Sequence, residues 1–174
     1  MDNPIQPATA VAAPLAQDDE DEPADYATAI YGSLLVTSLV AVQWKIEPSV
    51  EAIGLSLLFA VFVFWLAHAW SRIVNQRVRG PISRHHALSI AKAETPLLIA
   101  AIPPTLVLAL GRLPDLTTDT VVALALAVCI GQLFVWGIVV GRAAHTSWAL
   151  ALRVAIVDSL LGIVIVALKV AVLH

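Results

Sequence analysis

Residues 120 to 140 of this chain carry no charged side chain, and residues 50 to 71 and 154 to 168 carry one acid each, Glu51 and Asp158. Such runs leave a peptide backbone few options. In lipid every amide and carbonyl must be paired internally, so only helices and closed barrels cross a membrane. A barrel needs apolar and polar residues in alternation, and these runs do not alternate. The spacing therefore predicts an all-α polytopic membrane protein. A span takes roughly 20 apolar residues, so the 174 residues, 59% hydrophobic and 13% charged, have room for about five.

Seven of the thirteen acids lie in the first 25 residues, and the rest of the chain carries ten bases against six acids. That acidic segment has no large apolar cluster with which to offset the entropy of ordering, so residues 1–25 are expected to be a disordered tail and 26–174 a five-helix transmembrane domain. The tail has no basic start and no apolar core, so the first span is expected to act as an uncleaved insertion signal.

The spans are expected near 26–44, 49–71, 95–110, 119–140 and 147–173, with Pro48 starting the second and residues 72–84 forming a basic loop. Between that loop and the third span, residues 83–94 are amphipathic. His85, Ser89 and Lys92 share one face, while Ala87, Leu88, Ile90 and Ala91 share the other, which predicts a short interfacial helix. Thr95 and Pro96 read as N-cap and first helical residue of the third span. Small residues recur every fourth position at Ala29, Ser33, Thr37 and Ala41, then at Ala123, Ala127 and Gly131, and at Gly137 and Gly141. These are faces on which another helix, of this chain, of a second copy or of a membrane partner, could pack closely.

Orientation follows from Lys and Arg. Arg72, Arg77, Arg79, Arg84, Lys92, Arg142 and Arg153 fall on one side, and Lys45, Arg112 and Lys169 on the other. The basic side is expected to be cytoplasmic, with the N-terminus inside and the C-terminus outside.

Ionisable groups within spans are costly and face the bundle interior, so His68, Glu94 and Asp158 are the candidate polar cluster, with Arg72 and Arg153 as countercharges. His68 lies one turn from Arg72. Glu94 continues the apolar face of the amphipathic segment through Ala87, Ile90 and Ala91. Asp158 continues a small-residue stripe through Ala151, Ala155 and Gly162. Arg153, five residues from Asp158, lies about 140° around the helix from it. The cluster reads either as a static ion-pair network that docks helices, the favoured reading, or as a proton or cation relay built on an imidazole between carboxylates.

Pro96, Pro103 and Pro104 break the third span. Pro103 and Pro104 lack amide donors and release the carbonyls of Ile99 and Ala100, for which Gln132 is the expected donor. Such carbonyls can coordinate ions in transporters or simply mark a kink. His85 and His86 project about 100° apart on a helix and cannot share one site, and no recognisable metal, phosphate or nucleophile motif is present, so no metal or cofactor is expected. Cys129 has no second cysteine with which to pair. The basic segment is accounted for by topology and anionic lipid, not nucleic acid.

Phe64, Trp65, Leu66, Ala67 and His68, then Glu94, Thr95 and Pro96, Pro103 and Pro104, Trp136 and Gly137, Gly141 and Arg142, and finally Lys169 and His174 resemble a group of small polytopic membrane proteins of high-GC Gram-positive bacteria. The likeness covers nearly all of the chain beyond the tail, and members carry tyrosine where this chain has Trp70. The resemblance implies a bacterial plasma membrane protein and supplies no mechanism. A non-enzymatic structural or accessory role is the expectation, and a small proton- or cation-coupled transporter or channel is the alternative.

Overall fold

The computed structural model describes residues 26–47, 49–113, 115–144 and 147–172; the acidic tail, Pro48, Pro114 and His174 fall outside them. Its helices are α1 (Tyr26–Ile46), α2 (Val50–Arg79), α3 (Arg84–Ala93), α4 (Thr95–Ile99), α5 (Ile102–Ala109), α6 (Thr118–Ala143) and α7 (Trp148–Val172), with a 3-10 turn at Leu110–Arg112, and the described residues contain no strand. Four helices, α1, α2, α6 and α7, are long and apolar enough to cross a membrane, and the bent α3-to-turn segment makes a fifth if counted as one span. The exposed residues Leu55, Phe59, Val135, Val157 and Leu168 keep the outside of the bundle apolar as well. Helices apolar outside as well as in mark an integral membrane protein, because lipid can cover that surface and water cannot.

Four helix starts carry hydroxyl caps, the α7 start through Ser147, which accepts the amide of Leu150 at 3.4 Å. Ser49 accepts the amide of Ala52 at 3.2 Å, Ser83 that of His86 at 3.1 Å, and Thr117 that of Thr120 at 3.3 Å. The second span is longer than expected. Residues 72–79 lie within α2, so only residues 80–83 separate it from α3. Nothing in the sequence from Ser71 to Arg79 stops a helix before Gly80 and Pro81. At 30 residues α2 is about 45 Å long, which carries its arginines past an apolar layer about 30 Å thick.

α1 lies at the centre, against α2, α4, α6 and α7. Its stripe of Ala29, Ser33, Thr37 and Ala41 is fully buried. The Ser33 hydroxyl donates back to the Ala29 carbonyl at 2.9 Å and Thr37 to the Ser33 carbonyl at 2.7 Å, so the polar groups of this stripe are satisfied within the helix while its smallness brings neighbours near. α6 and α7 form the largest helix contact. A Cβ on Gly137 would stand 2.4 Å from the Ala155 Cα, and one on Gly141 2.5 Å from the Ala151 Cα. The GxxxG pair is thus consumed inside the chain. Ala123, Ala127 and Gly131 instead face outward, because α6 turns Val121, Val122, Ala125, Leu126, Cys129 and Leu133 to the core.

The third span bends by 41° between Ile99 and Ile102. The bend lies at Ala100 and Ala101, just upstream of the two prolines, which occupy the first turn of α5, where a missing amide costs nothing. The preceding break is at Glu94. This residue, not Thr95, occupies the cap of α4 and makes no side-chain cap bond, and Thr95 is already helical. Of the predicted apolar face of α3, Ile90 is buried, but Leu88 is 63% exposed.

Candidate functional site

Glu94 is the one acid among the described residues with no exposed surface. The turn between α3 and α4 points it at α2, where Arg72 Nη1 donates to its Oε1 at 2.5 Å. His68, one turn earlier on α2, brings Nε2 within 3.7 Å of the other oxygen, Oε2. That separation is too long for a hydrogen bond, and Oε2 has no hydrogen-bond partner. The Trp65 indole, a further turn back, donates to the Ala91 carbonyl at 3.2 Å. Residues 65, 68 and 72 thus form one ridge of α2 that grips the α3–α4 junction.

α1 closes the other side. Tyr31 stacks on the His68 ring with centroids 5.9 Å apart and an interplanar angle of 26°. Beside it α1 comes close to α4, for a Cβ on Gly32 would lie 3.1 Å from the Leu97 Cα, tighter than ordinary contact. Neither Tyr31 nor Trp65 stood out in the sequence as a site residue. An aromatic near a helix end has an ordinary interfacial explanation, and stacking between helices leaves no spacing signal.

The structure brings His68, Arg72 and Glu94 together and leaves Asp158 and Arg153 apart from them. Asp158 faces α6: its Oδ2 would lie 2.9 Å from a Cβ on Gly137 and has no hydrogen-bond partner. Among the described residues it makes no ion pair, and neither does Arg153, which is exposed. Gln132 does not serve the carbonyls freed by Pro103 and Pro104. It donates to the Ser33 hydroxyl at 3.0 Å, tying α6 to α1.

No family model, curated protein or solved structure matches this chain. Its chemistry is therefore read from geometry. A carboxylate shielded from solvent, with one oxygen on a guanidinium and the other facing an imidazole, can hold two helices together and can accept a second cationic partner when the imidazole is protonated. Among the described residues no group of three His, Cys, Asp or Glu side chains is placed to hold a metal ion. His85 and His86 are exposed at the start of α3.

Proposed function

We propose that this chain is a non-enzymatic structural or accessory protein of a bacterial plasma membrane, crossing it five times with the N-terminus in the cytoplasm and the C-terminus outside. The observation that carries this reading is the use made of Glu94. Its charge is spent on docking the broken third span against α2 through Arg72, and Asp158, the second intramembrane acid, is not part of that group. A relay needs ionisable groups within reach of one another, whereas a docking pair needs only its two partners. Seven bases against three support the orientation. In α3, Ile90 is buried while His85, His86, Ser89 and Lys92 are exposed, which supports a helix lying at the cytoplasmic surface. The resemblance to small polytopic membrane proteins of high-GC Gram-positive bacteria supports the compartment.

The test is reconstitution of the pure protein in liposomes, with proton and monovalent cation flux measured under an imposed gradient. Flux equal to that of empty vesicles is expected. Flux that vanishes in His68→Ala, with the protein still folded, would replace this reading by the transporter. One observation favours that second reading: the unbonded Oε2 of Glu94 faces a His68 side chain that is 47% exposed, a route by which a proton could reach a buried carboxylate.

A further inference from the structure

Away from Glu94, at the other end of the second span, α2 and α5 part to leave a groove of about 220 Å³ lined by Val50, Gly54, Leu55, Leu58, Leu108 and Ala109. This is smaller than the roughly 300–1,000 Å³ of a small-molecule pocket, and the groove opens on the apolar outside of the bundle, where Leu55 and Leu58 are exposed. Three polar groups also line it: Glu51, Arg112 and Thr105. Glu51 and Arg112 are exposed and, among the described residues, make no ion pair with each other or with any other group. The Thr105 hydroxyl is buried without a hydrogen-bond partner. Nothing fills the space over Gly54, where an added Cβ would meet no atom within 4 Å.

We propose that this groove binds one acyl chain of a membrane phospholipid whose headgroup carries both an ammonium and a phosphate. The inference rests on the membrane reading of the helices, not on the accessory role. The walls are apolar and the groove faces lipid, so an acyl chain is its natural content. The charges choose the headgroup. A carboxylate and a guanidinium, one on each bank and neither neutralised, match a zwitterion, with the ammonium on Glu51 and the phosphate on Arg112. An anionic headgroup would satisfy Arg112 and be repelled by Glu51.

The test is lipid retention by the detergent-purified full chain, read by native mass spectrometry after titration with phosphatidylethanolamine or with phosphatidylglycerol of the same acyl chains. One phosphatidylethanolamine per chain is expected, favoured over phosphatidylglycerol about tenfold, the size of one charge-assisted hydrogen bond. Glu51→Gln should erase that preference, and Arg112→Gln should weaken both lipids. Both residues are exposed, so folding is not at stake. Gly54→Leu should fill the groove and abolish retention while the helical melting curve is kept. Equal retention of the two lipids by the unaltered protein would overturn the headgroup assignment. Unchanged retention in a folded Gly54→Leu would overturn the groove, and if that variant does not fold, Leu58→Trp serves the same purpose. Competition by water-soluble glycerophosphoethanolamine as strong as by the intact lipid would show a soluble phosphate ligand instead. Loss of a dimer in Gly54→Leu would show that a second copy of the chain is the occupant.

Discussion

Replacing Arg72 with methionine removes the cation from Glu94 while keeping an unbranched apolar stem in α2. The two partners are unequal. Glu94 has no exposed surface, whereas the Arg72 side chain is 40% exposed. Breaking a buried ion pair from one side costs roughly 3–5 kcal/mol, because the remaining charge stays buried. The Arg72 side is not fully buried, so the loss is smaller than for a fully enclosed pair, and Arg72→Met should destabilise by about 2–4 kcal/mol. Glu94→Gln leaves a guanidinium that can still reach solvent, at about 1 kcal/mol. The double variant should then be little worse than Glu94→Gln alone, giving a coupling energy of about 2–4 kcal/mol. Reversible unfolding in mixed detergent micelles measures all four corners of the cycle, and the cycle cancels every other contact Arg72 makes. A coupling energy below about 0.5 kcal/mol would refute the argument that this pair docks the third span.

Asp158→Asn and Glu94→Gln share no partner and should add to within about 0.5 kcal/mol; a larger departure in the same unfolding assay would put Asp158 back in the Glu94 group. Gly137→Ala forces a methyl group against the Ala155 backbone and should cost about 1–3 kcal/mol by overpacking, whereas Gly131→Ala meets no atom and should stabilise α6 by about 0.5–1 kcal/mol. Melting curves that ranked the two variants the other way would show that the GxxxG pair does not pack on α7. Ile90→Asp buries an unpaired charge and should lower stability by more than about 2 kcal/mol, while Ser89→Asp, on the exposed face of α3, should stay within about 0.5 kcal/mol. Cysteines placed at Gln76 and Thr117 should differ in intact cells, with only Thr117→Cys labelled by an impermeant maleimide; labelling of Gln76→Cys would invert the orientation.

The sequence by itself determined that this chain is a bundle of membrane helices, because continuous apolar runs admit no other way to satisfy a backbone in lipid. It also located Ser83 at the start of the amphipathic helix, the buried stripe on α1 and the inward turn of Glu94, since each is a matter of period along one helix. It placed the end of α2 too early. A run of arginines suggests a loop, yet charge does not stop a helix, and only Gly80 and Pro81 do. What no single-helix period contains is which face meets which neighbour. Ala123, Ala127 and Gly131 have the same spacing as the α1 stripe and face outward, while Gly137 and Gly141 lie against α7. Glu94 and Asp158 are both acids within apolar segments, but Glu94 finds Arg72 and Asp158 lies against Gly137 of α6. Only the packing between helices decides that difference: α2 lies against the α3–α4 turn, where Arg72 reaches Glu94, whereas α7 lies against α6 and α1.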